Sequence, residues 1–158
     1  MLQYRVTKYN PAHRDAAGSY TLDEWSSFAD IGQRFDGVRL TPEVYQTVED
    51  AYVRVAQAFL EEAGVPSLCV IGLEAPTNDA PLAEGAHLSL PQIDSVLRAL
   101  LRERYWCRLE CELGFIHVGW DYYMYVGVSC QCPGAEALAK AYGLYVENFS
   151  SPYAKSAV

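Results

Sequence analysis

The sequence predicts a single α/β (α+β) domain, in which a mixed or antiparallel sheet of about four strands ends in a C-terminal hairpin. Two main helices and one or two short ones are expected to pack on it. Three observations lead there. The length of 158 residues suits one domain, alternating apolar segments stand near both ends, and two segments of helical period lie between them. The range 1–158 is expected to fold as one unit, with 148–158 as a loosely ordered tail.

The N-terminal third predicts a strand, a short helix and a turn. Residues 2–9 alternate between apolar and polar side chains, as a half-buried strand does. The sequence TLDE at 21–24 has the form of a capping box, so a short helix carrying Trp25 is expected there. Asp36 and Gly37 together indicate a tight turn.

The two main helices are predicted from their caps and their apolar stripes. Thr41 and Pro42 suit the N-cap and the first position of a helix, and Ser89 with Gln92 forms a capping box for the second. The stripe of the first helix consists of Tyr45, Val48, Tyr52, Val55 and Phe59. Between the helices, 67–74 is a continuous apolar run including Cys69, as expected of a central strand covered on both faces.

The C-terminal half predicts a hairpin of strands 104–113 and 116–128, followed by a short helix after Pro133. Alternation places Ile116, Val118, Trp120, Tyr122, Met124, Val126 and Val128 on the apolar face of the second strand. A two-residue turn at Gly114 and Phe115 fixes which face is apolar. It pairs Glu112 with His117, Arg108 with Asp121 and Trp106 with Tyr123. A slip by two residues keeps the same faces and remains open.

The net charge of the chain limits the classes of molecule that it is expected to bind. The net charge is −8, and no lysine or arginine occurs between Arg54 and Arg98. Such a field repels nucleic acid and anionic membranes and attracts basic proteins. The sequence also has neither a signal peptide nor an apolar run of membrane-spanning length. A cytoplasmic protein that binds neither nucleic acid nor membrane is expected.

Metal and catalytic chemistry find little support in the sequence. Five cysteines in a chain of this length predict reduced thiols. Cys130 and Cys132 could begin a metal site, but no second pair of ligands stands at a suitable spacing. His117 and Asp121 lie four strand residues apart, roughly 13 Å, so they form no catalytic dyad. No catalytic residue, metal or cofactor is therefore predicted.

A binding surface is the better-supported expectation. Tyrosine and tryptophan on an otherwise polar sheet face are typical of protein interfaces, unless a helix covers that face. The candidate residues on the first main helix are Glu49, Asp50, Glu61 and Glu62. Those on the polar sheet face are Trp106, Glu110, Glu112, His117, Asp121, Tyr123 and Tyr125.

Three segments also carry a resemblance to a known group of proteins: YRVTKYNP at the start, YTLDEWSSFADIG, and HVGWDYYMYVG near the end. The matching positions are Tyr9, Asn10, Pro11, Trp25, Asp30, Gly32, Asp121, Tyr122, Tyr123 and Tyr125. The chain resembles small bacterial proteins with an N-terminal YR[IV]TKYNP motif, some of which are interpreted as immunity proteins of polymorphic toxin systems. The resemblance implies a protein that neutralises a cognate toxin by direct binding, and it supplies no catalytic residues.

Two rival interpretations remain open at this stage. The chain could be a small enzyme or a ligand-binding protein with a pocket formed by the 10–15 loop, Trp25 and Asp30. The loop residues that would contribute are Asn10, His13, Arg14 and Asp15. Alternatively, the aromatic face could be buried in a homo-oligomer, since the sequence leaves the oligomeric state open.

Overall fold

A computed structural model describes residues 1–77 and 81–155, which contain three α-helices and nine strands. The helices are α1 (Pro42–Glu62), α2 (Leu90–Leu101) and α3 (Pro133–Ala141). The strands are β1 (Leu2–Thr7), β2 (Arg34–Phe35), β3 (Val38–Arg39), β4 (Ser67–Glu74), β5 (His87–Ser89), β6 (Trp106–Cys111), β7 (Gly114–Val118), β8 (Met124–Val128) and β9 (Tyr145–Asn148). None of the helices in these two ranges is long and apolar enough to cross a membrane.

Seven strands form one antiparallel sheet in the order β5-β4-β6-β7-β8-β1-β9, and β2 pairs with β3 apart from it. The α+β class is confirmed, but the prediction of about four strands was too low. The missed strands β2, β3, β5 and β9 have only two to four residues each. Such short segments carry no readable alternation.

Both main helices begin where their caps predict. Thr41 Oγ1 accepts the Val44 N–H at 3.2 Å, and the Ser89 N–H donates to the Gln92 side chain at 2.9 Å. The helices contribute their apolar stripes to a core shared with one face of the sheet. From the sheet this core receives Tyr4, Val6, Leu68, Val70, Leu109, Ile116, Met124, Val126 and Val128.

The short helix expected at 21–24 is absent. The chain there is irregular, and a 3₁₀ turn begins only at Phe28, capped by the Ser27 hydroxyl. The side chain of Asp23 is used elsewhere, because it accepts the Asp36 N–H at 2.8 Å and so holds the β2–β3 hairpin. The turn of that hairpin lies at Asp36 and Gly37, both with positive φ, as predicted.

The predicted second C-terminal strand is in fact two strands joined by a turn. The Gly119 N–H donates to the Tyr123 carbonyl at 2.8 Å, and Tyr122 adopts a φ of 64°. The turn removes Trp120 from the core, where alternation had placed it, and leaves it 56% exposed. Tyr122 and Met124 are buried as predicted.

The pairing between β6 and β7 is shifted by four residues from the predicted register. Leu109 faces Ile116 and Cys111 faces Gly114, so the turn lies two residues earlier, at Glu112 and Leu113 instead of Gly114 and Phe115. The predicted pairs of Glu112 with His117, Arg108 with Asp121 and Trp106 with Tyr123 therefore do not form. A shift by an even number of residues preserves the faces, which is why the apolar side was predicted correctly.

Strand β4 was predicted to be buried on both faces, but only one of its faces is buried. Leu68 and Val70 are buried, whereas Cys69 and Ile71 are only partly covered. One face packs on the core and the other remains near the surface, because β4 lies next to the edge strand β5. Residues 78–80, which follow β4, lie outside the described residues, and so do residues 156–158 of the tail predicted at 148–158.

A buried carboxylate joins the two main helices. The side chain of Glu49 on α1 has no exposed area, and it accepts from Tyr45 Oη at 2.7 Å, from Arg98 at 3.0 Å and from Arg102 at 2.7 Å. Burial raises the pKa of Glu49, but the hydrogen bonds from Arg102, Tyr45 and Arg98 outweigh it and leave the pKa below its ordinary value. Glu49 is thus ionised, and its ion pairs with Arg98 and Arg102 join α1 to α2.

Replacement of Glu49 by alanine should reduce the free energy of unfolding by about 3–5 kcal/mol, because two arginines and a buried tyrosine hydroxyl lose their partner. Glu61→Ala is the matched control, since Glu61 is exposed on the same helix and such substitutions usually change stability by less than about 0.5 kcal/mol. Urea unfolding of both variants measures the difference. Equal losses of unfolding free energy in the two variants would contradict a stabilising link between α1 and α2 through Glu49.

Candidate functional site

The hydroxyls of two tyrosines make four hydrogen bonds that bring distant parts of the chain together. Tyr52 Oη, which is fully buried, accepts the Lys8 N–H and donates to the Tyr122 carbonyl, both at 2.8 Å. Tyr9 Oη donates toward the Trp25 carbonyl at 3.3 Å and the Asp121 carbonyl at 2.9 Å. The end of β1, the 20–27 loop and the β7–β8 turn therefore meet above α1.

Three segments that lie far apart in the sequence supply most of this junction. The Trp25 ring packs on Tyr122 with ring centroids 4.9 Å apart, and the Tyr9 ring meets Tyr123 at 5.2 Å. These residues are separated by up to 114 positions in the sequence, from Tyr9 to Tyr123. Their convergence identifies this end of the sheet as the candidate site.

A cavity of about 410 Å³ opens at the junction, and we call it the tyrosine cavity. Its lining residues are Tyr9, Gly18, Ser19, Tyr20, Glu24, Ser26, Asp121 and Tyr123. Tyr9 and Tyr20 pack with ring centroids 4.9 Å apart. In the described part of the chain the lining includes two carboxylates and no lysine, arginine or histidine. Aromatic faces beside carboxylates are the chemistry that binds a cationic side chain.

The β7–β8 turn that contributes Asp121 to the tyrosine cavity also carries an exposed aromatic side chain. Trp120 precedes Asp121 in the β7–β8 turn and is 56% exposed. Asp121 keeps the turn in shape, since its Oδ1 accepts the Tyr123 N–H at 3.2 Å. It makes no ion pair within residues 1–77 and 81–155, so its charge is available to a partner.

The polar face of the sheet is covered by the segment after β9 and not by a helix. The Ser151 N–H donates to Gln3 Oε1 at 2.9 Å, and the Tyr153 ring packs against Trp106 and Tyr125 at 5.4 and 5.9 Å. His117 and Tyr125 are buried beneath this segment. The described part of the C-terminal segment, 149–155, therefore takes up aromatic surface that the sequence had offered to a partner.

Beneath the C-terminal segment a chain of hydrogen bonds links a serine, a histidine and a glutamate. In its neutral form, His117 donates from Nε2 to Glu110 Oε1 at 2.9 Å, and its Nδ1 accepts from Ser151 Oγ at 2.7 Å. Ser151 Oγ also accepts the Tyr153 N–H at 3.2 Å. Burial lowers the pKa of His117 to about 4, although Glu110 acts in the opposite direction, so the ring is neutral near pH 7.

This serine, histidine and carboxylate have the order found in serine hydrolases, yet their surroundings favour a structural role. Ser151 and His117 are both buried, at 6% and 0% exposure, and neither lines the tyrosine cavity. A nucleophile must reach its substrate, and here the hydroxyl lies between the imidazole and the Tyr153 backbone. The arrangement fastens the C-terminal segment to the sheet.

The predicted acidic surface on the first helix is mostly used inside the protein. Glu49 is buried, and Asp50 pairs with Arg98 at 2.5 Å. Glu62 accepts the Gly134 and Ala135 N–H groups at 3.1 and 2.8 Å and thereby caps α3. Only Glu61 of this predicted group is exposed and without such a contact in the described residues.

On the sheet, the predicted binding residues are divided among three environments. Asp121 and Tyr123 line the tyrosine cavity. His117 and Tyr125 lie under the C-terminal segment together with the half-buried Trp106 and Glu110. Glu112 is exposed in the β6–β7 turn. The structure thus brings together two of the seven predicted sheet residues at the tyrosine cavity.

The residues of the predicted alternative pocket do not converge. Asn10 Oδ1 caps a 3₁₀ turn, Arg14 pairs with Glu147, and Asp30 Oδ2 accepts the Ser26 N–H. His13 is exposed, and so is Asp15, whose side chain accepts from its own loop. A separate cavity does lie beside Trp25, but none of Asn10, His13, Arg14 and Asp30 lines it.

The two cysteines considered for a metal site differ in exposure. Cys130 is exposed, whereas Cys132 is buried, and burial raises the pKa of its thiol to about 11. In the described ranges no group of three or more histidine, cysteine, aspartate or glutamate side chains could hold a metal ion.

Sequence reasoning missed three contributors to the junction: Lys8, Tyr20 and Glu24. A signal for Lys8 was present, because alternation from Tyr4 and Val6 places it on the buried face of β1. Tyr20 and Glu24 stand in a loop with no period, so nothing in the sequence aligned them with Asp121. Ser151 was missed because it stands in the segment predicted to be a loose tail.

Comparison with known proteins leaves the site to be interpreted from its geometry. No protein-family model, curated protein or solved structure matches this chain.

Protonation of His117 should weaken the fold in acid. The pKa is lowered on folding, so the folded chain resists protonation and stability falls as the pH drops from about 6.5, the unfolded value, to about 4. The loss attributable to this group should approach about 3 kcal/mol below pH 4. Unfolding free energies from pH 4 to 7.5 for the wild type and His117→Gln measure it.

Carboxylates also titrate in this range, so His13→Gln serves as a matched control, since His13 is exposed. The slope of stability against pH should become shallower in His117→Gln and remain unchanged in His13→Gln. An unchanged slope in both variants would mean that His117 is not held neutral by the fold.

Proposed function

We propose that this protein binds and neutralises a basic protein partner, as an immunity protein binds its cognate toxin, and that the tyrosine cavity receives a lysine or arginine of that partner. The observation that carries the proposal is the composition of this cavity. Three tyrosines and the carboxylates of Glu24 and Asp121 line it, with no cation among its described lining residues.

The physical chemistry of the cavity favours a guanidinium or ammonium group. An arginine stacked on a tyrosine face and paired with a carboxylate gains both cation–π and ionic stabilisation, and more so when water is excluded. Asp121 has no cationic partner of its own in the described residues. Lys8 offsets part of the charge of Glu24, from which its Nζ lies 3.7 Å away.

Two further features support a protein partner instead of a free small cation. Trp120, the residue before Asp121, has an exposed aromatic side chain, and tryptophan is enriched among the residues that dominate interface energies. The net charge of −8 accelerates encounter with a basic protein at low salt. The family resemblance, which lies in the segments that form this junction, suggests a toxin as that partner.

Under this proposal the contact surface differs from the one expected from the sequence. Asp121 and Tyr123 remain contact residues, and Glu24, Tyr20 and Trp120 join them. Glu49 and Glu62 are excluded as contacts because they stabilise α2 and α3.

Binding to the protein encoded by the adjacent gene tests the proposal. Asp121→Asn removes the charge but keeps an oxygen that can accept the Tyr123 N–H, so it should lower affinity by about tenfold without unfolding the turn. Trp120→Ala should lower affinity by about 30-fold, the effect of a typical hot spot. Calorimetric titration at low and high salt measures both losses, and salt should weaken wild-type binding.

Glu103→Gln is the charge-matched control, since Glu103 is exposed at the end of α2 and does not line the cavity. Its affinity should equal that of the wild type. A loss with Glu61→Gln but not with Asp121→Asn would move the contact to α1 and contradict the role of the cavity. Absence of any complex, or an affinity indifferent to salt, would contradict neutralisation by charge-steered binding.

A further inference from the structure

Strand β9 is an outer strand of the seven-stranded sheet, and a groove of about 620 Å³ lies between it and α3. On the side of α3 the groove is lined by Glu136, Ala137 and Lys140, all of which are exposed. On the other side it is lined by residues 143–146, which lead into β9 and form its first half. We call the groove side of α3 and the outer side of β9 together the edge surface.

The backbone of β9 has unpaired groups on its outer side. The Phe149 N–H donates to the Gln3 carbonyl at 3.2 Å, so these two opposed residues form a hydrogen-bonded pair. Such pairs alternate along an antiparallel ladder, so Glu147 also directs its backbone groups toward β1. The N–H and C=O groups of Val146 and Asn148 therefore point away from β1. In the described part of the chain no further strand pairs with them.

The outer side of β9 lacks the features that usually prevent edge-to-edge pairing. Natural edge strands often carry a lysine, a proline or a bulge for this purpose. Strand β9 has the sequence YVEN, and its one charged residue is compensated within the chain. Glu147 pairs with Arg5 at 3.0 Å and with Arg14. The strand is short, but it can accept a second strand without burying an uncompensated charge.

The charges on the groove side of α3 are complementary to their own two-fold image. Glu136 and Lys140 lie one helical turn apart, and neither makes an ion pair within the described residues. When a strand pairs antiparallel with its own copy about a two-fold axis, the sheets join and the neighbouring helices meet antiparallel on the same face. Glu136 of one copy then lies opposite Lys140 of the second copy, and the small side chain of Ala137 lets the helices approach.

One axis can serve both the helix and the strand. Only residues 142–144 join α3 to β9, so the two elements run back from the same turn. The midpoint between Glu136 and Lys140 lies roughly 8 Å from Gly143 along the helix, and Val146 lies roughly 10 Å from Gly143 along the strand. An axis near Val146 therefore pairs the strands and the helix charges at once.

We propose that two copies of this chain associate through the edge surface, with β9 paired antiparallel to its copy and the two sheets joined into one. A second copy is the occupant that fits, because the backbone of β9 and the charges of α3 are both complementary to themselves. None of the lining residues of the tyrosine cavity belongs to this surface. Association of two copies and binding of a basic partner are therefore separate properties of the chain.

Sedimentation equilibrium of the full chain, over roughly 1 μM to 1 mM, should show a reversible monomer–dimer equilibrium. Lys140→Glu sets glutamate against Glu136 of the second copy, and Glu136→Lys sets lysine against Lys140. Each variant should weaken dimerisation by at least about tenfold, because like charges meet twice across the axis. An equimolar mixture of the two variants should recover dimers, since every facing pair in the mixed dimer is of opposite charge.

Matched controls separate this pairing from a general effect of net charge. Glu103→Lys and Lys155→Glu make the same changes of charge at exposed positions outside the groove, so both should dimerise like the wild type. Recovery in the mixture also shows that Lys140→Glu and Glu136→Lys are folded. A dimer that resists both reversals, or a mixture that stays monomeric, would overturn the proposal.

Amide hydrogen exchange tests the strand pairing directly. Exchange of the Val146 and Asn148 N–H groups should slow as the protein concentration rises, because these groups become hydrogen-bonded only in the dimer. The Glu147 N–H pairs with β1 and should be protected at all concentrations. A chain that is monomeric up to the highest concentration would overturn the proposal and leave the edge surface to an extended segment of a different protein.

Discussion

The end of the molecule that contains the tyrosine cavity depends on the hydrogen bonds of one hydroxyl, that of Tyr52. It lies within the core, where it accepts the Lys8 N–H and donates to the Tyr122 carbonyl. Leaving these buried backbone groups without partners would cost about 1–3 kcal/mol each. The same contact fixes where β1 ends and where the β7–β8 turn begins. The tyrosine cavity takes lining residues from both segments, so its shape follows from one buried side chain of α1.

The tyrosine cavity and the cavity beside Trp25 share one residue, Glu24, yet differ in chemistry. Trp25 and Lys8 line only the cavity beside Trp25. In the tyrosine cavity the Glu24 carboxylate adds negative charge to a group of tyrosines, and in the other it lies 3.7 Å from the buried amine of Lys8. A partner that neutralised Glu24 would also remove one of the charges that keep Lys8 protonated. The charge of Glu24 therefore acts on both cavities.

The sequence was sufficient for features that depend on local periodicity and insufficient for those that depend on single contacts. The caps of α1 and α2 and the buried face of the C-terminal strands follow from spacing, and they agree with the structure. Trp120 did not follow its alternation, because a turn stabilised by the Gly119 N–H interrupts the strand. The helix predicted from the capping box at 21–24 did not form either, because hydrogen bonds to other segments hold this part of the chain, such as that from Thr21 Oγ1 to the His13 carbonyl.

The position of β1 between β8 and β9 has a consequence for how the chain is made. This strand pairs with residues 124–128 on one side and 145–148 on the other. It leaves the ribosome before both of its neighbours and must wait for more than a hundred further residues before either one exists. During that interval its edges are open to other chains, and pairings of such long sequence separation form slowly. Arg5 and Lys8 place charges on the waiting strand and the residue just after it, a composition that discourages edge-to-edge association during synthesis.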